Sequence, residues 1–169
     1  GVGTQGRFLV LGLCGTGKYT FRQLGAALKH ENYDIVKVSD DIIIKPIEGF
    51  GSVEMIRLLL ATERPDAMII FSDPRFFTHV FSMEDEIHQV CPLIYNHLWD
   101  AVPPPTFNRP FYDSCDLINC INWPTYEFLH GWLPDRVNYV PHAVPAEIYF
   151  PMSDEDRLRA RRTLFGNSS

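Results

Sequence analysis

Several features that would assign this chain to a specialised class are missing from its sequence. The four cysteines form no CxxC pair and have no paired histidines nearby, so neither a zinc site nor a disulfide framework is indicated. No stretch approaches the ~20 apolar residues that a membrane-spanning helix needs, and the N-terminus shows no secretion signal. We therefore expect buried, reduced thiols in a cytoplasmic protein without integral membrane contact.

Positive charge is also scarce in the sequence. Lys and Arg total 15 against 21 Asp and Glu, which gives a formal net charge of −6. Nucleic acids and anionic membranes are bound by clusters of Lys and Arg. The densest basic run, residues 157–162, follows the acidic residues 154–156 in a helical pattern that is typical of a solvated helix face. We therefore expect no nucleic-acid partner.

The pattern that is present is an alternation of strands and helices. The chain has 169 residues, 46% of them hydrophobic, which is ordinary for one globular domain. Short apolar runs predict strands at residues 7–11, 34–38, 42–44, 66–71, 92–96, 116–121 and 137–140. Helical patterns lie between them, at residues 19–30, 52–62, 75–89, 111–114 and 125–132. This alternation predicts an α/β, Rossmann-like, doubly wound fold, with a mainly parallel sheet of six or seven strands and helices on both faces.

The C-terminal segment differs in composition from the rest. We predict a Rossmann-like domain over residues 1–151, and a hinge or the start of a further domain over residues 152–169. Ser153 is a candidate N-cap for a charged helix that ends at Gly166. That helix has few apolar residues with which to pack against the domain.

A glycine-rich segment, GLCGTGKY at positions 12–19, lies between the first predicted strand and the first predicted helix. Open α/β sheets bind phosphate at such a turn. The segment nearly satisfies the P-loop pattern, but Tyr19 replaces the required Ser or Thr, and Thr20 lies about 100° further round the helix. Residues 68–71, which lead to Asp73, can be aligned with the strand that ends in an acidic residue in P-loop proteins. A P-loop-type nucleotide-binding protein therefore stays open as an alternative, as does a tight turn with no ligand.

Several segments together resemble a known family. The glycine turn and the helix predicted after it resemble the first loop and helix of two-domain GT-B glycosyltransferases, in particular the retaining glycogen-synthase-like and mannosyltransferase-like family. Four further segments follow in the matching order: RPDAMII at 64–70, PLIYNHLWD at 92–100, DSCDLINCIN at 113–122 and VNYVPHAVP at 137–145. The last is the most specific, although Ala143 replaces a usual glycine and Pro145 a common Asp.

The resemblance implies that the chain is the N-terminal, acceptor-binding half of a hexosyltransferase-type enzyme with a nucleotide-sugar donor. It implies that Gly15, Thr16, Gly17 and Lys18 face the donor diphosphate, without a metal or a further cofactor. The expected partners are a C-terminal GT-B domain, without which the chain is inactive, and a sugar, lipid or other acceptor.

The candidate site residues fall where predicted strands end. Ligands of open α/β sheets bind beyond the carboxyl ends of the strands. We predict catalytic roles for His97 and Asp73, and acceptor binding by Trp99 and Asp100.

Structural roles for these residues stay open. His97 and His142 can be structural hydrogen-bonding groups, Asp73 can cap a helix at Pro74, and Trp99 can belong to the loop core. A non-catalytic, Rossmann-like binding module is the third functional class.

Overall fold

The strands among the described residues form two sheets. A computed structural model describes residues 1–26, 29, 31–99 and 101–166. The three-stranded sheet has the order β1-β3-β2, and the four-stranded sheet has the order β4-β5-β6-β7. The strands are β1 Phe21–Gly25, β2 Val36–Lys37, β3 Ile42–Pro46, β4 Met68–Ser72, β5 Leu93–His97, β6 Leu117–Cys120 and β7 Val137–Tyr139. The helices are α1 Val2–Cys14, α2 Val53–Glu63, α3 Thr78–Phe81, α4 Glu84–His88, α5 Arg109–Asp113, α6 Trp123–His130 and α7 Asp154–Phe165.

The four-stranded sheet is parallel throughout, and its strands follow one another in chain order. Right-handed crossovers between neighbours in this order place the connecting helices on one face of the sheet. That face carries the buried side chains of Tyr95, His97 and Ile118. The other face is only partly covered, and there the Asn119 side-chain amide donates to Asn96 Oδ1 at 2.8 Å.

The main core lies between the parallel sheet and α2 to α6. Each of these helices contributes buried side chains to one apolar cluster, namely Ile56 and Leu60 of α2, Val80 and Phe81 of α3, Ile87 of α4, Tyr112 of α5 and Leu129 of α6. The four cysteines are all free; Cys91, Cys115 and Cys120 are buried and Cys14 is half-buried. No helix among the described residues has the combined length and apolarity that crossing a membrane requires.

The fold class is confirmed in its coarser form, a mixed α/β protein with a parallel sheet flanked by helices. The strands predicted at 66–71, 92–96, 116–121 and 137–140 are β4 to β7, with bounds shifted by one or two residues. The predicted strand at 42–44 is β3, and the one at 34–38 is reduced to the two residues of β2. The described strands make two sheets rather than one sheet of six or seven.

The predicted helices at 52–62, 111–114 and 125–132 correspond to α2, α5 and α6. In α2, Ser52 Oγ accepts the Met55 N–H at 3.3 Å, and the helix ends where Arg64 adopts a left-handed conformation, with φ 45°, before Pro65. The predicted helix at 75–89 is broken into a 3-10 turn, Pro74–Phe77, followed by α3 and α4.

The prediction for the N-terminal segment is wrong. Residues 7–11 lie within α1, and residues 21–25, predicted as helix, form β1, which pairs in parallel with β3. A continuous apolar run does not distinguish a strand from a packed helix by periodicity. In this chain α1 lies against β4, where a Cβ added at Gly6 would be 4.0 Å from Cδ1 of Phe71. Residues 27, 28 and 30 of the predicted helix lie outside the described residues.

The substitution Gly12→Ala tests this revised assignment. Gly12 is an exposed position of α1, and a Cβ built there meets nothing within 4 Å. We expect the substitution to raise the free energy of unfolding by about 0.5–1 kcal/mol, because alanine stabilises a helix relative to glycine. Gly17→Ala is the control and should lower it by about 1 kcal/mol, since Gly17 has φ 70°. Urea denaturation measures both changes. Destabilisation by Gly12→Ala would instead support a strand followed by a tight turn.

Asp116 joins the amino ends of two strands. Its Oδ2 accepts the backbone N–H of Leu93 at 2.7 Å and lies 3.0 Å from Nε2 of His88. Since Leu93 is buried, Asp116→Ala would leave this N–H without its acceptor. We expect a loss of about 1–2 kcal/mol in the free energy of unfolding. Asp113→Ala, which removes a surface pair with Arg109 at 3.5 Å, should change it by less than about 0.5 kcal/mol. Equal effects of the two variants in urea denaturation would contradict this role.

Candidate functional site at the carboxyl edge of the parallel sheet

The carboxyl ends of β4, β5 and β6 bring several predicted site residues to one edge. In the sheet register, Ser72 is opposite His97, and His97 is opposite Cys120. Asp73 directly follows β4, and Trp99 follows β5 by two residues. The structure therefore brings Asp73, His97 and Trp99 to the part of the sheet that was predicted from topology. Asp100 lies outside the described residues.

His97 is fully buried and belongs to a small polar cluster. Its Nε2 lies 2.9 Å from the Tyr112 hydroxyl, and the Asn108 side-chain amide lies 3.5 Å from the same hydroxyl. The His97 ring also meets the Tyr95 ring edge-on, with centroids 5.2 Å apart. Two buried atoms of the cluster, His97 Nδ1 and Asn108 Oδ1, have no hydrogen-bond partner among the described residues. The cluster thus has unused hydrogen-bonding capacity beneath the edge.

Burial determines the charge of His97. Removal from water lowers the pKa of His97 to about 4, and the nearby Asp73 carboxylate only partly opposes this shift. The imidazole is therefore neutral near pH 7. In that state it offers one ring N–H donor and one ring acceptor, and it carries no positive charge with which to stabilise an anion.

Asp73 is engaged by its own chain. Its Oδ1 accepts the backbone N–H of Arg75 at 2.9 Å, which caps the 3-10 turn, and its Oδ2 pairs with Arg75 Nη2 at 2.6 Å. The hydrogen bonds from Arg75 lower the pKa of Asp73 below its ordinary value. Asp73 is thus an ionised cap, and this structural role, left open by the sequence, is observed.

Trp99 is half-buried and anchors the loop after β5. Its indole N–H donates to the Ala101 carbonyl at 2.7 Å, and its ring meets Phe107 edge-on at 5.8 Å. The Trp99 carbonyl accepts the Asn122 side-chain amide at 2.6 Å, while Asn122 Oδ1 caps α6 through the Thr125 N–H at 2.9 Å. Asn122 therefore ties this loop to the beginning of α6.

The predicted phosphate-binding turn has a different geometry from the one expected. Gly15, Thr16, Gly17 and Lys18 follow the carboxyl end of α1 and precede β1, so they lie at the negative rather than the positive end of a helix. The backbone N–H groups of the first three donate to α1 carbonyls at 2.9 to 3.1 Å. The prediction that these residues connect a strand to the beginning of a helix is therefore wrong. Both the donor-diphosphate loop and the P-loop alternative relied on that arrangement. A phosphate-binding role for these four residues stays a prediction without that geometry.

His142 lies beside the first helix and β4. Its ring meets that of Phe71 edge-on, with centroids 5.7 Å apart. Burial is the main cause that lowers the pKa of His142, and the positive charge of the N-terminal amino group lowers it further. The neighbouring carbonyl of Ala143 accepts the Gln5 side-chain amide at 3.3 Å. These contacts fit the structural role considered for His142.

Sequence reasoning missed the residues that surround His97 and Trp99. Asn108 and Tyr112 are four residues apart, the spacing of neighbours on a helix, and this spacing was the available signal for their pairing. Asn122 precedes Pro124 in a pattern typical of a helix N-cap. Neither signal indicates that these groups meet His97 and Trp99, because those contacts join separate elements.

The described residues contain no group of three or more His, Cys, Asp or Glu side chains that could hold a metal ion. No protein-family model matches the chain, and a search of curated proteins gives no significant match.

Proposed function

We propose that this chain is the acceptor-binding half of a cytoplasmic glycosyltransferase that takes a hexosyl group from a nucleotide-sugar. The observation that carries the proposal is the convergence of Asp73, His97 and Trp99 at the carboxyl edge of a parallel sheet. The ordered sequence segments that resemble GT-B enzymes support it. The finer form of the fold, a doubly wound sheet covered on both faces that faces a second domain, belongs to this proposal.

The proposal assigns different tasks to the three residues. Trp99 is the one of the three that is only half-buried and aromatic, so its ring is the group that contacts a bound sugar. His97 is covered, and in this arrangement it is a positioning residue that holds the edge through Tyr112. Asp73 keeps the chain after β4 in place through its cap and its pair with Arg75. The direct catalytic contact predicted for His97 would require α5, whose Tyr112 covers the ring, to move.

Indole signals in a ¹⁵N–¹H correlation spectrum test acceptor binding at this edge. The chain has three tryptophans, so Trp99 gives one of three indole signals, which the Trp99→Phe variant assigns. Under the proposal, maltotriose or methyl α-mannoside shifts the Trp99 signal, while UDP-glucose and GDP-mannose bind weakly or not at all. Glycerol at equal concentration is the control. Tight, Mg²⁺-dependent binding of ATP together with an unresponsive Trp99 would overturn the proposal in favour of a nucleotide-binding protein.

A non-catalytic binding module is the second candidate, and the complete burial of His97 is the observation that favours it. Such a module uses the same edge to hold a ligand without transferring a sugar. A transfer assay on the complete gene product, with radiolabelled UDP-glucose and GDP-mannose as donors, separates the two. Label in a saccharide or lipid product supports the transferase, and binding without any transfer supports the module.

A further inference from the structure

A partly exposed aromatic cluster lies next to the candidate site. Trp123 and Tyr126 at the beginning of α6 and Tyr139 at the end of β7 form what we call the α6 aromatic surface. The Trp123 centroid lies 5.1 Å from that of Tyr126 and 5.5 Å from that of Tyr139. Trp123 remains 54% exposed and Tyr139 44% exposed. Tyr126 is half-buried against the core, and the two exposed rings that contact it offer faces on which a ligand can stack.

The α6 helix presents two distinct faces. Thr125 and Leu129 are buried and face the core. Trp123, Tyr126, Glu127 and His130 have the spacing i, i+3, i+4 and i+7, which places them in one stripe along the helix. The ring of His130 lies 5.1 Å from that of Tyr126, and Glu127 and His130 are both exposed. The second face therefore combines aromatic rings with a carboxylate and an imidazole.

Charge limits what this surface can bind. Neither α6 nor β7 contains a lysine or an arginine. Phosphate groups and nucleotides are held by such cations, so an anionic ligand has no counter-charge on these two elements. Glu127 and His130 instead offer an acceptor and a ring nitrogen to hydroxyl groups.

The arrangement of the rings distinguishes between two kinds of neutral ligand, a polyproline segment and a saccharide. A polyproline segment lies in a groove between aromatic ridges. Here the Tyr139 ring stands at 85° to that of Trp123 and the Tyr126 ring at 45°, so the three rings do not form parallel ridges. A pyranose needs only one aromatic face and polar groups at its margin, which this surface supplies.

We propose that the α6 aromatic surface binds a neutral saccharide, with one pyranose ring on Trp123 and its hydroxyls on Glu127, one helical turn away. The surface lies beside Trp99, because Asn122, which holds the Trp99 carbonyl at 2.6 Å, directly precedes Trp123. The inference rests on the proposed function in one respect: it assigns the acceptor to the saccharide class, with units of one saccharide in contact with both Trp99 and Trp123.

The test is a titration of the ¹⁵N-labelled chain with maltotriose and, separately, cellotriose, following the Trp123 indole signal. We expect a shift of this signal in the parent protein. In Trp123→Ala, which lacks this indole, isothermal titration calorimetry measures the affinity, and we expect an increase in Kd of about 10-fold, which corresponds to about 1.4 kcal/mol. Glu127→Gln, an exposed and conservative change, should also weaken binding. Phe150→Ala, which removes an exposed aromatic ring from another segment, should leave Kd unchanged.

Three results would overturn the inference. The first is a shift of the Trp99 indole signal without a shift of the Trp123 signal, a result that leaves the proposed function intact. The second is unchanged affinity in both Trp123→Ala and Glu127→Gln. The third is a response of Trp123 to an octaproline peptide but to neither saccharide, which would identify a peptide-binding surface. Saccharide binding at Trp123 by a protein that transfers no sugar would support this inference and reject the transferase.

Discussion

Acidification from pH 6.5 to pH 4 should lower the free energy of unfolding by about 3 kcal/mol through His97 alone. Burial lowers the pKa of His97 from 6.5 to about 4 in the folded protein. The unfolded chain therefore binds a proton in this range while the folded protein does not, and each unit of pKa difference is worth about 1.4 kcal/mol. The contribution of His97 is complete above pH 6.5 and is lost as the pH falls toward 4.

Urea denaturation of the protein and of His97→Gln at pH 4, 5, 6 and 7 measures this effect. The variant lacks the titrating group, so its stability should fall less steeply with acidification, whatever its absolute stability. His142, whose pKa is also lowered, contributes in the same direction in both proteins and cancels in the comparison. His130→Gln, at an exposed position, is the matched control and should keep the steep dependence. An equal pH dependence in His97→Gln and the parent protein would contradict the burial of a neutral His97.

Leu129→Ala should lower the free energy of unfolding by about 3 kcal/mol, within the 2–5 kcal/mol that truncating a buried leucine costs. Leu129 is fully buried and attaches α6 to the core. The loss combines the transfer free energy of the removed methyl groups with the cavity left between α6 and the sheet. This substitution therefore tests whether the helix that carries the α6 aromatic surface packs where the structure places it.

The control for Leu129→Ala is Leu158→Ala. Leu158 is 51% exposed on α7, a helix with no buried residue, so its truncation should change the free energy of unfolding by less than about 0.5 kcal/mol. Thermal and urea denaturation of both variants provide the comparison. A cost below about 1 kcal/mol for Leu129→Ala would show that α6 is not anchored in the core.

The parallel sheet could be predicted from the sequence because its signals are local. Each of its strands is a short apolar run bounded by turn residues, as residues 92–96 illustrate. The N-terminal part could not be predicted in the same way. Residues 7–11 form an apolar run that suits a strand or a packed helix, and residues 21–25 pair with β3 although Leu24, with the alanines that follow, favours a helix.

For the candidate site, the sequence predicted which residues follow the ends of strands, but not the contacts that those residues make. Topology placed Asp73 and His97 at one edge, and the cap at Asp73 was visible from the Pro that follows it. The burial of His97 was not visible, because it depends on α5 bringing Tyr112 over the ring from another element. Likewise, the spacing of Trp123 and Tyr126 is local, but their contact with Tyr139 depends on the packing of β7.

A saccharide titration that follows all three tryptophan indoles shows whether the carboxyl edge of the parallel sheet binds an acceptor sugar. Trp132 is the internal reference, since it follows the carboxyl end of α6, packs against Phe128 and lies 5.0 Å from the Arg109 guanidinium, away from the carboxyl edge of the sheet. With maltotriose, we expect saturable shifts of the Trp99 and Trp123 signals and an unchanged Trp132 signal. The expectation is contradicted if neither the Trp99 nor the Trp123 signal shifts at the highest saccharide concentration, while either Mg²⁺-ATP binds tightly or the Trp132 signal alone responds.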